Sequence, residues 1–331
     1  MTAALWLLPI FLSGPPGERP QEPAPPAAAQ EPDIQAYKER LVPAEYRPFR
    51  SVPWELVDLG VLVALLAAAA VLAIRRSPWR RMLGLAVFAL LYLGFLRGGC
   101  LCPIGAVVEA SRGILWPEEA GRIAALLFLV PLAAALVAGR VFCGGACPLG
   151  AAQYLVFLGS RPRRIPAGVE RALRVIPWGI LAATVWLAVR GGCLLVCRLD
   201  PFVTAFAHGQ AWFRKFLSLV GLVFVEPGPV AAGDAAAWAW LCGALALSMV
   251  VPMPFCRYLC PYGALLGLFS RGALCRKALP AGACTGCGAC ARVCPVQAIG
   301  PDRPGGPVRV NQARCIRCGR CDGACPRAKG T

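Results

Sequence analysis

Five apolar runs separated by basic or mixed loops dominate the pattern of this chain, at 55–74, 82–96, 123–139, 175–189 and 235–251. About 20 helical residues cross a ~30 Å hydrocarbon layer, and shorter runs borrow flanking residues. The pattern therefore predicts a mainly α protein, a polytopic bundle of about five transmembrane helices. The two runs of only fifteen residues, 82–96 and 175–189, would also suit buried helices of a soluble core, but their apolar context favours crossing. Before the first run, the stretch 1–14 is apolar and 15–32 is rich in Pro and Ala. Residues 1–54 are thus expected to be an extracytoplasmic segment headed by a signal or an uncleaved anchor.

Charge follows the same map. Arg75, Arg76, Arg80 and Arg81 follow the first run, and Arg161, Arg163, Arg164, Arg171 and Arg174 precede the fourth. Basic loops stay in the cytoplasm, so both are assigned inside. The alternate loops, 97–122 and 190–234, carry Glu109, Glu118, Glu119, Asp200, Glu226 and Asp234 and are assigned outside. The net charge of +17 would suggest nucleic acid in a soluble protein, but with 58% hydrophobic and 15% charged residues it reads as membrane topology. Five crossings of a bacterial inner membrane leave the C-terminal part in the reducing cytoplasm, where exposed thiols do not pair as disulfides.

That C-terminal part holds the chemistry. Cys284-x2-Cys287-x2-Cys290-x3-Cys294-Pro295 is followed by Cys315-x2-Cys318-x2-Cys321-x3-Cys325-Pro326. Three closely spaced thiolates wrap one [4Fe–4S] cube, and the fourth cysteine, turned away by its proline, reaches the cube held by the other triplet. The expected ligand sets are Cys284, Cys287, Cys290 and Cys325, and Cys315, Cys318, Cys321 and Cys294. Zinc or disulfide chemistry calls for neither this spacing nor the prolines. Residues 271–331 are accordingly predicted to form a bacterial-type two-cluster ferredoxin domain of α+β structure, behind a membrane domain at 55–270.

The membrane part repeats itself. Arg97-Gly-Gly-Cys100-Leu-Cys102 after the second run corresponds to Arg190-Gly-Gly-Cys193-x3-Cys197 after the fourth. Phe142-Cys143-x3-Cys147-Pro148-x-Gly150-Ala151 after the third aligns without a gap on Phe255-Cys256-x3-Cys260-Pro261-x-Gly263-Ala264 after the fifth. Span, outer pair, span, inner pair, performed twice, is a parallel internal repeat. Packed about a two-fold axis along the membrane normal, the halves would gather Cys143, Cys147, Cys256 and Cys260 on the inner face as a redox or metal site. They would gather Cys100, Cys102, Cys193 and Cys197 on the outer face, as a further cluster or as a disulfide between the halves. Small thiols also pack as ordinary buried hydrophobes, the reading kept for Cys242 and Cys275. Arg97, Arg190 and Arg198 flank the outer cysteines, where a cation would stabilise an anionic centre, although interfacial snorkelling is the commoner role. His208 is the single histidine, so bis-histidine haem is excluded.

Helical spans, paired Phe-Cys-x3-Cys-Pro motifs and a C-terminal two-cluster ferredoxin together resemble the membrane polyferredoxins typified by NosR, NapH and CcoG, over residues 55–326. Gly-Gly-Cys100-Leu-Cys102-Pro-Ile-Gly-Ala106, Cys197-Arg-Leu-Asp200-Pro-Phe202 and Cys256-Arg-Tyr-Leu-Cys260-Pro261 look most like the membrane part of NosR, which serves nitrous oxide respiration. NosR carries a flavin-binding domain ahead of its membrane part, whereas only some fifty residues stand there in this chain. They lack the Ser/Thr-Gly-Ala-Thr attachment string, so covalent flavin is not expected. The complete second ferredoxin motif points towards NapH.

The resemblance implies an electron-transfer subunit rather than an enzyme with a substrate of its own. It would pass electrons between a quinol or cytoplasmic donor and a periplasmic acceptor, supporting an anaerobic reductase such as nitrous oxide reductase. The alternatives are an accessory protein that reduces or handles copper during assembly of a respiratory metalloenzyme, or a redox sensor. Arg292, Arg314, Arg317, Arg320 and Arg327 lie among the ferredoxin cysteines, where they would either receive an acidic redox partner or form a solvated face.

Overall fold

A computed structural model describes residues 52–97, 105, 107, 108, 110, 111, 122–158, 165–189, 206, 235–279, 284–301 and 307–325. Helix α1, Val52–Ile74, turns at Arg75 and Arg76 into α2, Trp79–Ala89, which continues as a π-helical segment, Leu90–Leu96. Then come α3, Arg122–Ala138, and two short helices flanking the first inner motif, α4, Val141–Gly145, and α5, Pro148–Leu158. After α6, Ala167–Leu173, and α7, Ile176–Val189, the pattern recurs: α8, Ala235–Val250, then α9, Pro254–Tyr258, and α10, Pro261–Phe269.

Among the described residues three helices are long and apolar enough to cross a membrane: Leu56–Ile74, Trp79–Leu96 and Gly168–Val189. At ~1.5 Å per residue the 19 residues of the first span about 28 Å, close to the hydrocarbon thickness. The other two expected spans coincide with α3 and α8, of 17 and 16 residues. The bundle is apolar on both sides of its wall, as lipid requires. Leu62, Leu65, Leu66, Ala69, Met82, Ala86 and Leu93 are buried, while Val63, Val71, Leu129, Trp186, Leu247 and Met249 are exposed on the outside.

Packing is reciprocal between the halves. The α3 helix packs against α10, which follows the second inner motif, and α8 packs against α5, which follows the first. Gly145 makes the contact with α1 and α2 possible, since a Cβ there would stand 2.9 Å from Ala69 Cβ and 3.0 Å from Met82 Sδ.

An ion pair lies inside the opposite end of the bundle from the Arg75–Arg76 turn. Arg97 grips Asp58 of α1 through Nε, 2.8 Å from either carboxylate oxygen, and through Nη2, while the Tyr92 hydroxyl donates to the same carboxylate at 3.3 Å. Both charged side chains are buried. Arg97 therefore does not act as the snorkelling interfacial cation suggested by its place beside Cys100; it pairs with an acid 39 positions earlier.

The C-terminal module comprises α11, Ala289–Arg292, an antiparallel pair of strands β1, Ile299–Pro301, and β2, Val308–Val310, and α12, Arg320–Ala324. The segment that leads to it is tied down on the way: the Leu274 and Cys275 amides donate to the Leu136 and Val137 carbonyls at the end of α3, both at 2.9 Å.

Candidate functional site

The two inner motifs fold alike. In each, the second cysteine amide donates to the carbonyl of the phenylalanine, Cys147 to Phe142 at 2.8 Å and Cys260 to Phe255 at 2.9 Å. In each, the glycine after the proline turns its amide onto the second thiol: Gly150 N lies 3.4 Å from Cys147 Sγ and Gly263 N lies 3.2 Å from Cys260 Sγ. Glycine is required at 150, where a Cβ would stand 2.7 Å from the Cys143 carbonyl, and the fit is tight at 263, where one would stand 3.0 Å from Arg140 Nη2 and 3.3 Å from the Cys256 carbonyl. These Pro-x-Gly turns are the local devices that aim the thiols.

The structure brings Cys143, Cys147, Cys256 and Cys260 together at one end of the bundle, with Cys143 and Cys260 in electrostatic range of both Cys147 and Cys256. Burial, aided by the neighbouring thiols, pushes Cys147 and Cys256 far above the usual thiol range. A buried thiol gives up its proton only to a strong counter-charge, which iron would supply. Among the described residues no three of His, Cys, Asp and Glu are poised to hold a single metal ion. A cation and an amide reach the quartet: Arg140 Nη2 lies 3.6 Å from Cys143 Sγ, and Gln153 Nε2 lies 3.6 Å from Cys256 Sγ.

The ferredoxin thiols fall into two groups. Cys290 lies within electrostatic range of Cys284 and Cys325, and Cys318 lies within range of Cys294 and Cys315, with Cys321 beside both Cys315 and Cys318. The fourth cysteine of each string thus sits with the triplet of the other. Cys287 is exposed on the rim, where the Ala289 amide lowers its pKa first, and Thr285 next. Cys318 is buried and pushed up to about 12. Left-handed residues at matched places curl the two strings: Gly286 (φ 69°) and Gly288 (φ 68°) in the first, Arg317 (φ 63°) and Gly319 (φ 77°) in the second. The glycine between the second and third cysteines is a readable signal for this turn.

The module is seated on the inner quartet through its second string. Arg140 Nη1 donates to the Ala313 carbonyl at 3.2 Å, and the Ile316 carbonyl lies directly over Gly144, between Cys143 and Cys147. The Tyr154 hydroxyl of α5 faces the Cys318 thiol and the Arg320 guanidinium. Arg320 lies 5.6 Å from the Trp79 ring and 5.1 Å from that of Phe157, and Arg317 donates to the Cys275 carbonyl at 2.8 Å. Arg257 joins Glu170 of α6, at 2.6 Å, to Gln297 of the module, at 2.9 Å, and Lys277 pairs with Asp322. Arg317 and Arg320 therefore face the membrane part instead of an outside partner. Cys242 is exposed on α8 and Cys275 lies in the linker. Cys100, Cys102, Cys193 and Cys197 lie outside the described residues.

The donor set fits iron–sulfur groups. Buried Arg140 Nε, Arg317 Nε and Arg320 Nη1 have no hydrogen-bond partner among the described residues, and all three side chains stand at the thiol groups. Inorganic sulfide would satisfy such donors.

Thiols grouped in this way on an apolar helical bundle define an iron–sulfur membrane protein. The family described as a 4Fe-4S dicluster domain matches residues 283–329, and that described as a 4Fe-4S binding domain matches 123–166 and 234–281. The uncharacterized protein MJ0749 of Methanocaldococcus jannaschii is 29% identical over 200 residues, 60% of this chain and 66% of that one. The regulatory protein NosR of Pseudomonas aeruginosa is 28% identical over 262 residues, covering 73% and 33%. The ferredoxin-type protein NapH of Haemophilus influenzae is 28% identical over 213 residues, covering 60% and 63%. The chain is similar to membrane polyferredoxins of the NosR and NapH type. It spans no more than two thirds of the length of these relatives. No solved structure matches it.

Proposed function

We propose that this protein carries electrons across a bacterial inner membrane, between a quinol or cytoplasmic donor and a periplasmic acceptor of an anaerobic respiratory reductase. The observation that carries the reading is the meeting of thiols from both halves of the membrane part directly beneath the ferredoxin module. The name of NapH, a ferredoxin-type protein, supports a redox role.

In this reading Cys284, Cys287, Cys290 and Cys325 hold one [4Fe–4S] group, Cys315, Cys318, Cys321 and Cys294 a second, and Cys143, Cys147, Cys256 and Cys260 a third. When bound, such groups take up and release single electrons. Residues 55–270 then form a five-span domain with a parallel repeat, supported by the reciprocal packing of α3 on α10 and α8 on α5. Residues 271–331 form the ferredoxin domain, held in the cytoplasm with the quartet. The string carrying Cys318 faces the quartet and Cys287 of the other string is exposed, so the first group meets soluble partners while the second lies next to the membrane site. The outer cysteines Cys100, Cys102, Cys193 and Cys197 complete the route as a fourth group, or brace the outer face as a disulfide.

Liposomes with ferricyanide trapped inside and dithionite outside test this. Wild-type protein should bleach the trapped oxidant much faster than Cys143→Ser/Cys256→Ser. Equal slow rates would remove transmembrane transfer and favour the sensor or copper-handling readings.

A further inference from the structure

The two halves stop matching at the quartet itself. In the gapless alignment of the inner motifs, Arg140 corresponds to Met253, Gly144 to Arg257 and Gln153 to Leu266. One half therefore lends the quartet a buried guanidinium and an amide, where the other offers Met253 and Leu266, both fully buried. The asymmetry has a physical cost. An uncompensated ion inside a protein is destabilising by several kcal/mol, and Arg140 is only 8% exposed. Among the described residues no carboxylate pairs with it. Its surroundings are Cys143 at 3.6 Å from Nη2, the Ala313 carbonyl at 3.2 Å from Nη1, and Cys256 and Cys260 within electrostatic range, with Nε unpartnered. Neutral thiols offset little of that cost. An anionic group held by the four thiolates would offset it and would give Nε an acceptor.

We propose that Arg140 is the fixed counter-charge of the quartet's iron–sulfur group, raising its reduction potential, and that its second arm ties that group to the ferredoxin seat. This rests on the reading of the quartet as a redox site. One-electron reduction by an external donor adds one negative charge and forms no bond, so a nearby cation stabilises the reduced form more than the oxidised form. Arg140 acts as a positioning residue, with no thiolate of its own to contribute. The break in symmetry then has a function: the first half supplies the charge and, through Gly144, the open ground on which Ile316 rests, while Arg257 at the matching place braces Gln297 from the side.

The test is an EPR-monitored redox titration of the full chain, purified anaerobically, as wild type, Arg140→Gln and Arg140→Lys, with trypsin cleavage after the buried Lys277 followed in parallel. The signal that vanishes in Cys143→Ser/Cys256→Ser should titrate at a lower potential in Arg140→Gln and near the wild-type value in Arg140→Lys. Cleavage should quicken in both, because neither side chain reproduces the two-armed contact. An unmoved midpoint in Arg140→Gln, or an equal fall in both variants, would overturn the inference. Should Arg140→Gln lose the signal, the lysine variant decides: a wild-type midpoint supports the inference and a lower one overturns it. Absence of that signal from wild type would overturn the quartet reading and this inference with it.

Discussion

Gly144 lies so close beneath the Ile316 carbonyl that a Cβ on it would overlap the oxygen. The contact joins a residue between two membrane-part cysteines to a residue between two ferredoxin cysteines. Gly144→Ala should therefore lift the module from its seat, at a cost of ~1–3 kcal/mol, the usual range for overpacking. Limited trypsin digestion should show it: Lys277, buried and paired with Asp322, should become cleavable while α1 to α3 stay protected.

A second seat is made by Trp79 at the start of α2. Its ring lies under Arg320, 5.6 Å away, and a Cβ on Gly323 would stand 3.5 Å from ring atom Cδ1. Trp79→Ala removes this cation–π contact, worth ~0.5–2 kcal/mol, together with apolar contact area. The expected result is faster release of the C-terminal fragment with iron content unchanged.

Much of the iron–sulfur chemistry was legible because cysteine spacing is a local signal. The crossing of Cys294 and Cys325 between triplets follows from the proline after each, and the structure sets Cys294 beside Cys315 and Cys325 beside Cys290. The partnership of Arg140 with Ala313 was not legible, since 173 positions separate them and an arginine near a membrane face ordinarily snorkels. Arg317 and Arg320 show the same limit from the other side. Their charge suggested a surface for a partner, yet chain folding turned them onto Cys275 and Trp79. Asp58 offered the clearest missed signal, an acid inside an apolar run that implies a buried partner.

That pair makes its own prediction. Asp58→Leu leaves the Arg97 guanidinium buried without its carboxylate and should cost ~3–5 kcal/mol in bundle stability. Asp58→Leu/Arg97→Met should recover much of the loss, because no buried charge is then left behind. Thermal unfolding in detergent compares the two.

With the iron–sulfur groups of the proposed function in place, iron would hold the C-terminal module together. Its helices are 4 and 5 residues long and each strand has 3, too little to stand without cross-links. Removing iron by chelation after oxidation should unfold 284–325 while the membrane helices persist. Proteolysis should then erase the module first, and the helical circular dichroism should fall only modestly.

The central claim is that the quartet of Cys143, Cys147, Cys256 and Cys260 holds an iron–sulfur group of its own. Iron and acid-labile sulfide per chain, measured on anaerobically purified wild type and on Cys143→Ser/Cys256→Ser, test it most directly. Wild type should hold clearly more than about eight irons, the content of two [4Fe–4S] groups, with a fall towards eight in the variant. About eight in both would confine iron to the ferredoxin module and contradict it.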